Sequence, residues 1–234
     1  GEEGTVHRKC DLRLLGSAAQ TVAGVLLMGT ALIVLLKHLD AVASPFTLDY
    51  REGIVLDRVR ALLRHEPLYP AIGGAPYISW NFPPLYAWAC AAVSSLAGPS
   101  FAAGRAVTLA SALAAAFCIY LLVTQVSRQR RWGVLGALLF ITQTHVGMFS
   151  ATMCVDMTGL ALALAGLVVV GRGGRAVPAG LFFALGLLCK QSLLAAPLAA
   201  FLYLLAARRY RDAAAMVATG AVTAAAVVAL TRAT

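Results

Sequence analysis

Residues 84–96, PLYAWACAAVSSL, decide the fold, being apolar enough to enter a membrane and short enough to lie along one. As a helix at about 1.5 Å per residue they would reach only ~20 Å, short of the ~30 Å hydrocarbon core of a bilayer. Charge settles how they are read. Basic clusters fall at Arg8/Lys9/Arg13, Arg128/Arg130/Arg131, Arg172/Arg175 and Arg208/Arg209/Arg211. If all four are cytoplasmic, as the excess of Lys and Arg in inner loops requires, an even number of crossings separates each neighbouring pair. The apolar runs 18–36 and 101–126 already supply two crossings between Arg13 and Arg128. A third would push Arg128, Arg130 and Arg131 outside, so residues 84–96 are expected along the outer interface.

Working outward from that stretch, the chain has 60% hydrophobic and 12% charged residues. A soluble domain carries about 45–50% and 25%, so lipid is expected to solvate most of this surface. Seven runs read as spans: 18–36, 101–126, 133–149, 157–171, 177–189, 193–207 and 213–231. The expected fold is an all-α integral membrane protein with its N-terminus cytoplasmic. Residues 177–189 are short for a crossing and read as a broken helix ending beneath the outer surface, tolerated where protein lines a cavity. The net charge of +9 is gathered into loops and does not point to nucleic acid. The five cysteines form no CxxC or CxxH, and several sit inside apolar runs as buried free thiols. The chain opens at Gly1 and stops at Thr234 straight after an apolar run. It reads as a single membrane domain, 1–234, forming the N-terminal module of a longer protein. The first apolar run is long enough to span and lacks a signal-peptide cleavage pattern.

The same topology leaves an outer loop over residues 37–100. Within it, residues 53–64 form an amphipathic helix: Val55, Leu56, Val59, Leu62 and Leu63 share one face, Asp57, Arg60 and Arg64 the other. Such a helix lies on the membrane surface. A second helix, 84–97, is started by Pro83 and Pro84, places Tyr86 and Trp88 in the headgroup zone, and is ended by Gly98, Pro99 and Ser100.

The remaining polar groups then collect at the outer side. Asp49 and Glu52 follow the first span, Asp156 opens the fourth, and Lys190 and Gln191 lie at the fifth-to-sixth turn. Arg105 and His145 fall near the outer ends of their helices. Ionisable groups at a membrane are costly and tend to be functional. Each also has a structural reading. Asp49 can cap a helix that starts near Glu52, and Glu52 can favour that helix's dipole. Asp156 can cap its span, Lys190 can snorkel to the interface, and His145, in TQTH (142–145), can be a hydrogen-bonded helix residue.

Six pieces, in order, carry a family resemblance: LDYREG (48–53), EPLYP (66–70), NFPPLY (81–86), Arg105 followed by Ser111, VDM (155–157) and CKQ (189–191). Together they resemble the GT-C glycosyltransferases, the polytopic class that includes protein O-mannosyltransferases and lipid A aminoarabinose transferases. The resemblance implies a seven-span module that moves a sugar from a polyprenyl-phosphate donor to an acceptor outside the membrane. It gives Asp49 or Glu52 the role of catalytic base, with Asp156 as a second acid. Lys190 and Arg105 would hold the donor phosphate, and Tyr50, Tyr86, Gln191 and His145 are candidate substrate contacts. The resembling pieces leave the sugar and the acceptor open.

A phosphate leaving group needs no strong general acid, only a base for the acceptor hydroxyl and cations for the departing anion. One base attacking opposite the leaving group implies inversion at the anomeric carbon. No Gly-rich phosphate loop is present and no cofactor is expected, although two converging acids would leave room for a divalent metal. Two rival classes remain. A transporter should show related halves and midplane charges, and a non-catalytic membrane subunit would need no paired acids.

Overall fold

The structure, a computed structural model, describes residues 2–70 and 80–233, with side chains over 20–70 and 80–231. Ten α-helices occupy the described residues: α1 (Glu2–Ala43), α2 (Tyr50–Leu63), α3 (Leu85–Ala97), α4 (Phe101–Ser127), α5 (Arg130–Thr142), α6 (Thr144–Ser150), α7 (Val155–Gly171), α8 (Ala176–Leu187), α9 (Ala195–Ala206) and α10 (Tyr210–Ala233). Three stretches are long and apolar enough to cross a membrane: Gln20–Ala43, Phe101–Ser127 and Tyr210–Thr231. The pair α5 and α6, bent by 68° at their break, makes a fourth if counted as one span.

The seven expected spans therefore do not all appear as full-length helices. α7 has 17 residues, and α8 and α9 have 12 each. At about 1.5 Å per residue, a 12-residue helix reaches only ~18 Å. The run expected as one helix over 133–149 is two, because Gln143 leaves the helical region (φ −70°, ψ 131°) and spends its side-chain oxygen on the amide of Val146 to cap α6. The first helix also runs on to Ala43, so the expected loop at 37–100 begins later than Lys37.

Two ends of the bundle can be told apart. At one, the closing carbonyls of α1, the start of α4, the junction of α6 with α7 and the end of α8 converge on α2 and α3. Val55, Leu56 and Val59 of α2 pack with Tyr86, Ala87 and Cys90 of α3, and with Met153, Val155 and Cys189. Burial pushes the Cys90 thiol up to about 12, so it stays protonated and packs as a small apolar group. At the other end lie the basic turns. Arg209 donates to the carbonyl of Gly174 at 3.2 Å, and Gly171 packs against the side chain of Gln125. A second core there joins Val170, Ala179, Phe183, Leu204 and Met216. Between the ends, Leu26, Phe117, Leu202 and Val222 project outward with more than half their surface open. Water penalises such a surface and lipid does not.

α3 packs on α2 and α4. It is tied by a 3.1 Å bond from the amide of Leu85 to the carbonyl of Leu188. Gly98, at φ +83°, turns the chain out of α3, and Ser100 accepts from the amide of Ala103 to start α4.

α8 and α10 meet through Gly180, where an added methyl group would fall on the Met216 carbonyl. Gly180→Val should therefore overpack this contact and lower stability by about 1–3 kcal/mol, read as a drop in the melting temperature of the purified protein. Gly29→Ala, whose methyl meets no neighbouring atom, should leave the melt unchanged.

Candidate functional site

α2 begins three residues earlier than the sequence pattern suggests, at Tyr50, because Asp49 and Glu52 form a capping box. Asp49 accepts from the amide of Arg51 at 2.8 Å, and Glu52 reaches back to the amides of Leu48 (2.7 Å) and Asp49 (3.4 Å). Both acids thus satisfy amides that a helix start leaves without partners. The Arg51 guanidinium then closes on Asp49 from the side, Nε to Oδ1 at 2.7 Å and Nη2 to Oδ2 at 2.9 Å. That side-chain bond, above all, holds the Asp49 carboxyl below its ordinary value of 3.8. Arg51 also stands over the rings of Tyr50 and Phe149, at 5.9 and 5.3 Å.

Glu52 and Arg105 are both 0% exposed. Arg105 donates Nε and Nη2 to the two oxygens of Glu52, each at 2.8 Å. It donates Nη1 to the carbonyls of Ala41 and Ser44 at 2.7 Å, and Nη2 again to that of Phe46 at 2.6 Å. All five N–H groups of a guanidinium are therefore used. Glu52 in turn accepts from the amide of Met153 at 2.9 Å. Two sequence expectations change here. Glu52 is sealed away from any acceptor hydroxyl, and Arg105 has no donor left for a phosphate.

Asp156 and Lys190 are placed differently. Asp156 stands in the first turn of α7, where the helix dipole favours an acid. Lys190 sits in the turn after α8, and its Nζ donates to Asp156 Oδ1, with 30% and 21% of the two side chains open. Asp156 Oδ2 accepts from the thiol of Cys154 at 2.7 Å, and the bond of Ser111 Oγ with Thr158 Oγ1 at 2.8 Å braces this end of α7 against α4. Gln191, next in the turn, donates to the carbonyl of Asn81 at 3.3 Å. A cavity of about 460 Å³ opens between this turn, the NFPP segment and the end of α10.

The structure thus brings Asp156, Lys190 and Gln191 to one turn, and binds Glu52, beside Asp49, to the backbone of Met153 just before α7. It does not bring every candidate together. Tyr86 is fully buried, its hydroxyl bonded with Thr108 at 2.6 Å, so it packs the core and faces no substrate. Tyr50 is 80% exposed at the start of α2. His145 is exposed on α6, 3.4 Å from the side-chain nitrogen of Gln143. Among the described residues, no three His, Cys, Asp or Glu side chains group as a metal centre.

Three residues escaped the sequence reading. Arg51 lay inside the LDYREG piece, between Asp49 and Glu52, without being singled out. Asn81 lay inside the NFPPLY piece without being singled out. His38 fell in what was read as loop, yet it is buried, with its ring nitrogens against Val34 O (2.5 Å), Gly147 O (2.9 Å) and Ser150 Oγ (2.7 Å), joining α1 to α6. For His38 no sequence signal exists, since the α6 partners that bury it, Gly147 and Ser150, lie over 100 residues away.

Removing one partner of a buried pair strands the other charge, at a cost of about 3–5 kcal/mol. Arg105→Met should therefore unfold or strongly destabilise the protein, and the double variant Glu52→Gln/Arg105→Met should recover part of the loss in a thermal melt. Burial pushes the Glu52 carboxyl up, but the bonds from Arg105, Leu48 and Met153 outweigh it and leave it below 4.5. A depressed acid stabilises the fold above its unfolded value and ceases to as pH falls through its folded one. Melting temperature should hold above about pH 4.5 and drop below it, and Glu52→Gln should flatten that drop.

With this geometry in view, the chain can be set beside known proteins. No match was found among curated proteins or among solved structures. The description of glycosyltransferase family 87 matches residues 80–234, which include Asn81, Asp156, Lys190 and Gln191 but not Asp49. That match agrees with the GT-C resemblance and with the apolar helices of an integral membrane protein. Since it covers well over half of the sequence, the chain belongs to glycosyltransferase family 87.

Proposed function

We propose that this glycosyltransferase takes its sugar from a polyprenyl-phosphate donor and transfers it, with inversion, on the non-cytoplasmic side of the membrane. The observation that carries the reading is the partly exposed pair of Asp156 and Lys190, set at the same end of the bundle as Asp49. The acceptor oxygen attacks the anomeric carbon as the bond from that carbon to the phosphate oxygen breaks. The acceptor proton passes to a carboxylate, and the polyprenyl phosphate leaves as an anion. Asp49 serves as the base, because Glu52 is sealed and saturated while Asp49 keeps about a quarter of its side chain open. Asp156 orients the acceptor. Lys190 and Arg51, the cations near these acids that retain exposure, hold the phosphate in place of Arg105.

The basic turns at the far end would be cytoplasmic, along with the N-terminus, and seven passes would result, with α7, α8 and α9 as short ones. α2 and α3 would lie along the outer interface, with the carrier's tail between helices beside them. A broken helix such as α8 suits this arrangement, since it ends below the surface and lifts Lys190 to the mouth on a turn.

Asp49→Asn, Asp156→Asn and Lys190→Gln should each lower sugar transfer by about 10²-fold or more, with melting temperature and membrane insertion unchanged. Wild-type transfer by all three would overturn the assignment. For the orientation, single cysteines placed at Ser95 and Gln129, both exposed, are labelled in cells expressing a variant whose five native cysteines have been replaced. A membrane-impermeant thiol reagent should reach position 95 from outside and position 129 only after the membrane is opened. The opposite pattern would reject the proposed topology.

A further inference from the structure

At the basic end of the bundle, away from the transfer site, α1 packs on α5 and leaves a groove of about 580 Å³ between them. Both helices leave that end in the same direction, so the groove follows them. Along α1 it runs from Gln20 to Met28, about 12 Å at ~1.5 Å per residue. Its two ends differ in chemistry. Gln20, Arg131 and Trp132 line the end beside the basic turn, while Val25, Met28 and Leu138 line the other. Gln20 opens the apolar span Gln20–Ala43 and Arg130 opens α5, so the polar end stands at the edge of the membrane and the rest descends into it. Gly24 keeps the groove open, since a methyl group added there would meet no neighbouring atom.

The polar end favours an anion. Arg131 donates Nε to Gln129 Oε1 at 2.7 Å, and its guanidinium stands 5.5 Å from the centre of the Trp132 ring. These two contacts hold the cation at the groove's mouth and use one of its five N–H groups. Gln129 gives its oxygen to Arg131 and does not cap α5. The first-turn amides of α5 therefore keep the partial positive charge of a helix start, which suits a phosphate. Arg128 and Arg130 add charge in the same turn, and the sequence holds no acid between Glu66 and Asp156. A soluble anion would use this mouth and leave the apolar length idle. An uncharged lipid would use the length and leave the cation idle. An anionic headgroup carrying an acyl chain uses both.

We infer that the groove between α1 and α5 holds an acidic glycerophospholipid. Its phosphate rests on Arg131 and the start of α5, and one acyl chain lies along Gly24, Val25 and Met28. The chain gives shape and little preference, because one lipid tail is as apolar as another. Selectivity comes from the charge of the head. In the orientation proposed above this lipid belongs to the cytoplasmic leaflet, across the membrane from the transfer site. The inference does not depend on which acids and cations carry the transfer.

The test is native mass spectrometry on the full chain, delipidated in detergent and titrated with dioleoyl phosphatidylglycerol or dioleoyl phosphatidylcholine. The wild-type protein should hold one phosphatidylglycerol about ten-fold more tightly than phosphatidylcholine, the worth of one charge-assisted hydrogen bond. Arg131→Gln should erase that preference in protein whose melt is unchanged. Gly24→Leu, which fills the groove and leaves the charges alone, should weaken both lipids. Arg175→Gln removes an exposed cation of the basic end that does not line the groove, and it should leave both affinities as they were. Asp156→Asn should keep lipid binding while losing transfer, so failure here and failure of the catalytic reading give different results. The inference is overturned if the wild-type protein binds the two lipids equally, if Arg175→Gln costs as much as Arg131→Gln, or if both groove variants bind as wild type does. It is also overturned if polyprenyl phosphate displaces the phospholipid at well below the phospholipid's own concentration, which would give the groove to the sugar carrier.

Discussion

The bond between Arg105 and Glu52 is the constraint on which this end of the molecule depends. A buried ion pair survives only where every lone pair and proton is met, and this one draws in backbone from three further places. The closing turn of α1 supplies carbonyls, the α6 to α7 junction supplies the amide of Met153, and the residues before α2 supply two more amides. In a low-dielectric setting none of these can drift without leaving a polar group bare. One side-chain pair therefore fixes where α1 stops, where α2 starts and how α7 is entered.

Around that fixed centre, the site's acids are each matched to a cation, with graded exposure. Glu52 with Arg105 is closed to solvent, while Asp49 with Arg51 and Asp156 with Lys190 stay partly open. The closed pair sets geometry, and the open pairs are the ones to which the proposed function gives the substrate contacts. In the proposed transfer, an Asp49 held ionised by Arg51 suits a leaving group that is already a stable anion, because the base needs only modest strength.

The irregular helices serve the same end of the bundle. α8 stops after 12 residues and hands the chain to a turn bearing Lys190 and Gln191, while α3 docks on that turn through the amide of Leu85. The NFPP segment cannot continue a helix through its two prolines, so it stays extended and gives its carbonyls to Gln191 and Tyr69. A uniform bundle of long helices would have buried those carbonyls in its own ladder.

Composition and the spacing of basic clusters were enough to read an all-helical membrane protein and the two helices between its first long spans. Those features are local or one-dimensional: apolar length, amphipathic period and charge order survive in a string of residues. The string could not rank Asp49 against Glu52, since both stand at a helix start and either can cap it. Only the arrival of Arg105 from 53 positions away turns Glu52 inward and leaves Asp49 at the rim. Tyr86 and His38 were equally opaque, because their partners come from α4 and α6. The end of α8 was also decided in three dimensions, because the amide of Leu85 at the start of α3 takes up the carbonyl of Leu188. Sequence determined what this chain dissolves in and which groups it carries to one end. Tertiary structure decided which of those charges are spent on holding the fold and which stay open.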